Sequence, residues 1–456
     1  MKKFISTTLI TALCSILFCM SSCVDDDTPR REEQMVKHVI TLDLPCDISN
    51  PKVSNIKAVL TNIQTKKVYT TDHFSFSDEL LTDTLTLPAG MYDMKVTGNV
   101  EYQMVMNSAS GKKQNNKVQK LKATVKATRE KIDIKPGTTV TSTRVALSVY
   151  NASEGFLITE IYFTGSTTPD GYMYTDDQYI KFGNNSDTVM YADGLAFIET
   201  FFTSDDLHDY QPNIMDRAMT IVTIYVIPGT GRDVPVKPGE EITIALTAED
   251  HTLINPHSID LSKADFEIYD NVTHPEGDHD VPGVPNLENW YANFEGCFVF
   301  HTRGVKSYAI ARPLVDRKTY MTKFRYKFSY IFRQGDFVIP MNENEYFMPN
   351  EWVVDAVNLS VPASHEWLLT SPRLDKGYTY CGHVDFDENR YTHAVIRKRE
   401  GHSYVEESAT INNVPGTWMV DQNFGGKGKW IDTNNSTEDF VPNAQPSYFA
   451  KKLRGM

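Results

Sequence analysis

A run of alternating aromatic and basic residues is the part of this sequence that suggests chemistry most directly. From position 323 to 333 the chain reads KFRYKFSYIFR. In a β-strand, side chains point alternately to opposite faces, so the aromatic residues share one face and the basic residues the other. The aromatic face suits a buried core. We predict that the basic face is either simply solvated or binds an anionic partner, because the chain is acidic overall. The basic residues are Lys323, Arg325, Lys327 and Arg333.

Residues 274–280, HPEGDHD, bring two histidines and three carboxylates into one short segment. Imidazole and carboxylate groups ligate zinc and iron, so His274, His279 and Asp280 are candidate metal ligands. Their spacing matches no closed metal motif. Asp, Gly, Pro and His also favour ordinary exposed loops. The segment is therefore interpreted either as a metal site or as an ordinary exposed loop, and the sequence implies no cofactor firmly.

Two of the five tryptophans lie in glycine-, lysine- and threonine-containing sequence that is typical of loops. They are Trp418 and Trp430. An exposed indole provides a platform for a sugar ring or another planar ligand, whereas a buried indole fills the core. We predict that most of the tryptophans fill the core and that, if any are exposed, these two are, which makes them candidate ligand-binding residues.

Motifs for nucleophilic catalysis are absent from the sequence. It has no GxSxG, no HExxH and no reactive-cysteine signature. Carboxylate pairs occur, but any acidic chain of this size contains some by chance, and glycosidase pairs are recognised by their separation in space. We therefore predict a protein that binds rather than catalyses, with an extracellular hydrolase as an alternative.

Short alternating segments separated by turn residues indicate which elements position these groups. The segments 39–44, 55–60, 82–87 and 91–97 alternate apolar and polar residues, and PAG at 88–90 is a turn signal. Several short strands at such intervals predict an all-β protein built of β-sandwiches. We place the first sandwich at 37–152 and a larger β domain with long insertions at 153–445.

Length and charge exclude some classes of protein. The chain has 456 residues and a formal net charge of −14, which is long enough for two or three domains with cores of their own. An acidic surface repels nucleic acid and anionic lipid, so neither is an expected electrostatic partner.

The first 22 residues have the features of a secretion signal. Two lysines precede an apolar run that is short for a membrane span, and the run ends in small residues before a cysteine. MSSC at 20–23 resembles the lipobox of bacterial lipoproteins, which implies that Cys23 is acylated and that membrane lipid is a partner. Residues 23–36 are polar and suit a tether.

Three cysteines remain after the signal and Cys23 are set aside. They are Cys46, Cys297 and Cys381. A secreted chain can form a disulfide, and Cys297 with Cys381 is the predicted pair. The alternative is that all three are small buried thiols.

Two resemblances concern the fold of the two β domains. LPAGMYDMKV at 87–96 resembles part of small Ig-like or transthyretin-like modules, which implies that fold for the first domain. The ordered strings QYIKFGNNS at 178–186 and DGL at 193–195, with later pieces up to 440, resemble a lamin-tail-like β-sandwich. The second domain is therefore expected to be lamin-tail-like with insertions.

A wider set of segments is similar to a family of Bacteroidota outer-membrane lipoproteins of unknown function, often encoded beside TonB-dependent receptors. The segments are ITEIYFTGSTTPDG at 158–171, DDQYIKFGNNSD at 176–187, SYAIARP at 307–313, NEWVVDAVNLS at 350–360 and DTNNSTEDF at 432–440. This resemblance implies an accessory, ligand-binding role in the uptake of iron, a metal chelate or a glycan, with a TonB-dependent receptor as partner. A fimbrillin-like structural or adhesive lipoprotein is the other alternative.

The same resemblance bears on location. In that phylum, acidic residues just after the lipidated cysteine resemble the signal that sends lipoproteins to the outer cell surface. Asp25, Asp26 and Asp27 occupy those positions here. The expected location is the outer membrane, lipid-anchored and facing the cell exterior. Alternatively, the three aspartates only solvate the tether.

Overall fold

Strands make up nearly all of the regular structure, so the predicted all-β class is confirmed. A computed structural model describes residues 34–45, 49–77, 80–106, 117–150, 155–270, 278–293, 296–335, 337–412 and 414–453. In these ranges no helix is long and apolar enough to cross a membrane. The α-helices are α1 (Arg317–Lys323), α2 (Ser436–Asp439) and α3 (Ser447–Leu453), and 3₁₀ turns cover His251–Leu253, Asn350–Trp352 and Glu388–Arg390.

The first nine strands form a two-sheet sandwich. A four-stranded sheet has the order β4-β5-β1-β8, and a five-stranded sheet has the order β3-β2-β6-β7-β9. Burial alternates along β1, as a strand with one solvated face requires. The strands are β1 Met35–Asp43, β2 Ser49–Asn62, β3 Val68–Thr71, β4 Ser75–Ser77, β5 Leu80–Pro88, β6 Gly90–Met106, β7 Lys117–Ile134, β8 Val140–Ala146 and β9 Ser148–Tyr150.

The remaining strands build two larger sheets and two small two-stranded ones. The eight-stranded sheet has the order β19-β18-β13-β10-β25-β28-β27-β26, and the seven-stranded sheet the order β22-β23-β16-β15-β21-β24, with β20 paired to β16. The strands are β10 Phe156–Tyr162, β11 Ser166–Thr167, β12 Met173–Tyr174, β13 Tyr179–Asn184, β14 Met190–Tyr191, β15 Ala196–Thr200, β16 Ala218–Val226, β17 Pro235–Val236, β18 Glu241–Ala245, β19 Phe266–Glu267, β20 Glu288–Ala292, β21 Ser307–Ala311, β22 Arg325–Gln334, β23 Phe337–Pro349, β24 Val353–Asn358, β25 Ala394–Arg397, β26 Tyr404–Ile411, β27 Val414–Asp421 and β28 Phe440–Ala444.

The eight- and seven-stranded sheets pack face to face. Ile158 and Phe182 of the first sheet share one apolar cluster with Phe197 and Tyr308 of the second. Neighbouring residues on β15 point the other way: Ile198 belongs to the cluster that also contains the core of the N-terminal sandwich. Both faces of the seven-stranded sheet are therefore covered, which explains why its central strands are apolar throughout.

A polar contact joins the N-terminal sandwich to the rest. The indole nitrogen of Trp352 donates to the hydroxyl oxygen of Tyr102 at 3.3 Å, and both side chains are buried. Glu351 lies next to this contact, and burial raises its pKa to about 7. A tryptophan can be buried at a domain junction without leaving a polar group unsatisfied when its indole N–H has a hydrogen-bond acceptor.

The strand β22 has the alternation that the sequence predicts. Phe324, Tyr326 and Phe328 are buried, while Arg325 and Lys327 are exposed. The predicted alternation is confirmed for residues 325–328, whereas Tyr330 and Phe332 are only half-buried and Lys323 and Phe324 precede the strand.

Asp177 is a buried carboxylate without a cationic partner among the described residues. Its Oδ2 accepts hydrogen bonds from the hydroxyls of Ser166 at 2.6 Å and Ser258 at 2.5 Å, while Oδ1 accepts none. Burial raises the pKa of Asp177 to about 6, against 3.8 in the unfolded chain. Between about pH 4 and pH 6, Asp177 therefore keeps its proton in the folded protein but has lost it in the unfolded chain.

This difference predicts how stability depends on pH. In the wild type, the contribution of Asp177 to the free energy of unfolding falls as pH rises from about 4 to about 6. Asp177→Asn removes that fall and stabilises the protein near neutral pH by up to about 3 kcal/mol. Urea unfolding over a pH series measures this. The exposed Asp170→Asn is the control, and equal pH profiles for wild type and Asp177→Asn would contradict the prediction.

Candidate ligand-binding cleft

A cavity of about 990 Å³ lies on the outer face of the eight-stranded sheet. Strands β10, β13 and β18 form its floor, and helix α3, the segment 399–404 and strand β27 form its walls. We call it the sheet cleft. Its size is at the upper end of the range that small-ligand sites occupy. Its polar lining residues include Glu241, Lys263, Asp265, Arg399, His402 and Asp421.

A bulge in β10 aims polar side chains into the cleft. The register of β10 against β13 shifts between Ile158 and Glu160. Ile158 and Ile161 both remain in the core, and the bulged residues Thr159 and Glu160 both line the cleft. Bulges re-aim side chains in this way and often occur beside functional sites.

The floor contains a buried ion pair. Lys181 Nζ lies 3.0 Å from Glu160 Oε2, and both side chains are almost fully buried. Burial opposes ionisation, but Lys181 and the Tyr179 hydroxyl outweigh it and hold the pKa of Glu160 below its usual value. Burial also opposes the charge on Lys181, but Glu160 outweighs it and raises the pKa of that ammonium group. Both groups are therefore charged.

Helix α3 is attached to this pair. The backbone N–H of Ser447 donates to Glu160 Oε1 at 2.8 Å, and Lys181 donates to the Ser447 hydroxyl. Lys181 Nζ also lies 4.9 Å from the ring centroid of Tyr448, within the range of a cation–π contact. The pair thus fixes one wall of the cleft as well as its floor.

Trp430 and Arg399 form the opposite wall. The guanidinium carbon of Arg399 lies 3.8 Å from the Trp430 ring centroid, and Arg399 Nη1 donates to the Gly428 carbonyl at 3.0 Å. The Trp430 ring also packs on Gly183, where a Cβ would approach Cη2 to 2.6 Å. Trp430 is only 4% exposed. Trp430 therefore fits the alternative of a buried indole, because its ring contacts protein at Gly183 and Arg399, although the residue does line the cleft.

His402 and Asp421 are paired at the same wall. His402 Nδ1 lies 2.9 Å from Asp421 Oδ2, which orients the imidazole ring. A histidine held by a carboxylate is one part of a catalytic dyad. Among the described residues, however, His402 has no hydrogen bond to a hydroxyl or thiol that could serve as nucleophile.

The cleft carries more negative than positive charge. Glu160 and Lys181 neutralise each other, and Arg397 is paired with Asp355. Lys263 and Arg399 then face a larger number of carboxylates, so the lining offers both hydrogen-bond donors and many acceptors. The carboxylates are Glu241, Asp250, Asp260, Asp265 and Asp421.

The basic residues predicted as a ligand site lie away from the cleft, on the hairpin of β22 and β23. Lys323 ends helix α1, and Arg325, Lys327 and Arg333 are exposed on β22. Arg325 is partly engaged, since its Nε donates to the Asn344 carbonyl at 2.7 Å. In the structure these four basic residues therefore lie apart from Trp418 and Trp430.

Trp418 lies in the wall of a second cavity, of about 640 Å³. It is 1% exposed, its Nε1 donates to the Thr392 carbonyl at 3.0 Å, and its ring stacks on His393. Trp418 therefore also fits the alternative of a buried indole. The indole buries a large apolar area while its only donor remains satisfied, and local sequence does not reveal that partner.

The predicted metal ligands do not form a site in the part of the chain described. His274 lies outside the described residues. His279 is exposed with Nε2 3.8 Å from Glu249, and Asp280 accepts a hydrogen bond from Asn286. No group of three or more His, Cys, Asp or Glu side chains within the described ranges could hold a metal ion.

The predicted disulfide is absent. Cys381 is buried in the core between the two large sheets, Cys297 is half-buried, and both thiols are free. Burial raises the pKa of both thiols. Cys381 fits the alternative of a small core residue, whereas Cys297 is a free thiol outside the described core clusters. Cys46, Cys23 and Asp25, Asp26 and Asp27 lie outside the described residues.

Sequence reasoning missed most of the cleft. Its charged residues come from segments more than two hundred positions apart, such as Glu160 and Arg399, and no local spacing joins them. One signal was present: Glu160 and Lys181 are single charges inside apolar strands. A buried charge needs a partner, so the two could have been paired.

Comparisons with other proteins give a family match over part of the chain and no activity. Residues 237–447 match the family described as "Protein of unknown function (DUF4876)". A DUF4876 family protein from Bacteroides thetaiotaomicron VPI-5482 is similar in structure, with 18% identity, a TM-score of 0.47 and coverage of 90% of this chain and 96% of that chain. The tip fimbrial protein from Porphyromonas gingivalis with a C-terminal truncation aligns at 8% identity, a TM-score of 0.19 and coverage of 68% and 99%. No curated protein matches.

Proposed function

We propose that this protein is a lipid-anchored, non-catalytic protein of the outer cell surface that binds a hydroxyl-rich ligand, such as a short glycan, in the sheet cleft. It would pass that ligand to a TonB-dependent receptor. The family matched over residues 237–447 has no assigned activity, so the proposal depends on the cleft and on the sequence of the first 27 residues.

The composition of the cleft is the observation that carries the proposal. Several carboxylates accept hydrogen bonds from hydroxyl groups, and Arg399 and Lys263 donate to ligand oxygens. Apolar side chains such as Ile396 and Met419 lie between them and contact ligand carbons. A ligand with many hydroxyls on a carbon framework matches this arrangement.

Substitution of Arg399 tests whether a ligand binds in the sheet cleft. The chain from residue 24 onward is titrated with neutral and acidic oligosaccharides of two to four units by isothermal calorimetry. Arg399→Met is expected to weaken binding at least about tenfold, because it removes a charged donor from the wall. Lys398→Met is the matched control, since Lys398 lies next in sequence but its Nζ donates to the Glu438 carbonyl.

Two results would count against binding in the cleft. One is the absence of saturable binding to any oligosaccharide. The other is equal affinity for wild type and Arg399→Met, with both shown to be folded by circular dichroism.

The anchor is tested separately. Incorporation of labelled palmitate is expected in the wild type and not in Cys23→Ser. Replacement of Asp25, Asp26 and Asp27 with asparagine is expected to keep the label but to protect the protein from protease added to whole cells. Lipidation of Cys23→Ser, or unchanged protease sensitivity of the triple variant, would exclude the corresponding part of the proposal.

A further inference from the structure

The second cavity, which Trp418 borders, has a lining suited to a ligand with many hydroxyl groups. Its volume of about 640 Å³ lies within the range of small-ligand sites. Its described lining contains carboxylates, amides and hydroxyls but no lysine or arginine, so it accepts hydrogen bonds from hydroxyl groups and repels an anion. The polar lining residues include Asp387, Glu388, Asn389, Glu406, Thr417 and Asn443.

Aromatic rings form another part of this lining. Tyr380 and His383 pack edge to face with their ring centroids 5.1 Å apart, and Tyr380 is half-buried while His383 is exposed. Tyr391 also lines the cavity and is half-buried. Partly exposed rings contact the carbon atoms of a sugar, while the neighbouring amides and carboxylates bind its hydroxyls.

Hydrogen bonds fix the loop that carries Tyr380 and His383. Asn443 Oδ1 accepts from the Gly382 N–H at 2.7 Å, and Asp387 Oδ2 accepts from the His383 N–H at 3.0 Å. Asn443 has a φ of 50°, a left-handed conformation that asparagine adopts more readily than most residues. A wall that is already held in place loses little conformational entropy when a ligand binds.

One face of the β26–β27 hairpin connects the second cavity to the sheet cleft. Side chains two residues apart on a strand share a face, so Thr417, Met419 and Asp421 follow one another along β27. Thr417 lines the second cavity, Met419 lines both cavities and Asp421 lines the sheet cleft. From Asp421 to Thr417 this face extends for about 13 Å.

The partner strand β26 repeats this arrangement. Tyr404 lies opposite Asp421 and lines the sheet cleft. Glu406 lies opposite Met419 and lines the second cavity. The two cavities are therefore the two ends of one surface, and the same side chain, Met419, borders both.

We propose that the second cavity is a further subsite for the ligand of the sheet cleft, and that this ligand is a linear, neutral glycan too long for the sheet cleft alone. One end of the glycan would lie in the sheet cleft, its middle would contact the hairpin face, and a later sugar unit would enter the second cavity. The inference rests on the proposed function, because it extends the ligand proposed there. Contact at two connected subsites makes the second binding step intramolecular, so affinity rises with the length of the glycan.

Titration with oligosaccharides of increasing length tests this inference. The chain from residue 24 onward is titrated by isothermal calorimetry with members of the maltose and cellobiose series. Wild type is expected to bind a chain of about six to eight units at least about tenfold more tightly than one of about two to four units, with one long chain per protein.

Two variants of the second cavity separate the subsites. Thr417 is exposed and lines the second cavity but not the sheet cleft, so Thr417→Arg is expected to fill that cavity and to remove the tenfold gain from length. His383→Ala removes an exposed ring and is expected to reduce the same gain. Arg399→Met, in contrast, is expected to weaken the binding of both lengths. Thr84→Arg, the same change at an exposed position of β5, is the matched control.

The outcomes distinguish this inference from the proposed function. Short chains that bind without any gain from length would overturn the inference alone. A gain from length that survives in both Thr417→Arg and His383→Ala, each shown to be folded by circular dichroism, would also overturn the inference alone. Absence of saturable binding at both lengths would overturn the proposed function together with it.

Discussion

Lys181→Met is expected to destabilise the protein by about 3–5 kcal/mol, because it leaves the Glu160 carboxylate buried without its cation. Lys181 Nζ lies 3.0 Å from Glu160 Oε2, and both side chains are nearly inaccessible to water. The substitution also removes the donor to the Ser447 hydroxyl, so helix α3 is expected to be held less firmly to the sheet, by the remaining bond from the Ser447 N–H to Glu160. Urea unfolding measures the free energy, and hydrogen exchange of residues 447–453 reports the helix.

The double variant Glu160→Gln with Lys181→Met shows whether the unpaired charge of Glu160 causes the loss of stability. An amide still accepts from the Ser447 N–H and carries no charge, so most of the loss is expected to be recovered. Lys95→Met on the exposed face of β6 is the matched control and is expected to change stability by less than about 0.5 kcal/mol. If Lys181→Met were no worse than Lys95→Met, the ion pair would not contribute as described.

Arg397→Met is expected to have an effect of similar size, about 3–5 kcal/mol, for a related reason. Arg397 is buried, its Nη2 donates to Asp355 Oδ2 at 2.6 Å, and its Nε donates to the Ile158 carbonyl at 2.8 Å. It connects β25 to Asp355 on the facing sheet. Thermal and urea unfolding measure the loss, and broadened unfolding would indicate that the two sheets no longer unfold together.

Two further variants test why Arg397→Met loses stability. Asp355→Asn combined with Arg397→Met removes both charges, and the amide oxygen can still accept from the Ile158 N–H as Asp355 Oδ2 does at 2.7 Å. This double variant is expected to be more stable than Arg397→Met alone. Lys398→Met, at the next position, is expected to have little effect. Equal stability of the single and double variants would mean that the cost does not arise from Asp355. It would then arise from lost packing on Phe440 or from the buried Asp439, whose Oδ2 lies 3.6 Å from Arg397 Nη1.

The two predictions and the ligand experiment report on different parts of one structure. Arg397 holds the two large sheets together, Lys181 holds the floor of the cleft to helix α3, and Arg399 is placed at the wall where a ligand would contact it. Loss of ligand affinity in Arg399→Met with unchanged stability would therefore separate binding from folding.

The sequence alone determined the features that depend on neighbouring residues. Alternation along β22 identified Tyr326 and Phe328 as buried and Arg325 and Lys327 as exposed, since successive residues of a strand point to opposite faces. The same alternation elsewhere was sufficient for the all-β class. The acidic charge and the apolar segment before Cys23 are likewise read directly from residue types.

Only the tertiary structure decided the properties that depend on partners distant in the chain. Loop-like sequence made Trp418 and Trp430 the tryptophans to expect at the surface if any were exposed, yet both are buried. Gly183 packs on Trp430, and Trp418 contacts Thr392 and His393, and no local spacing reveals these partners. Secretion and the number of cysteines favour a disulfide between Cys297 and Cys381. Both thiols are free in the structure, because the packing of the chain decides which cysteines lie next to each other. The sheet cleft was not predictable for the same reason: strand order brings Glu160, Lys181 and Arg399 together, and strand order is set by packing over the whole chain, not by local spacing.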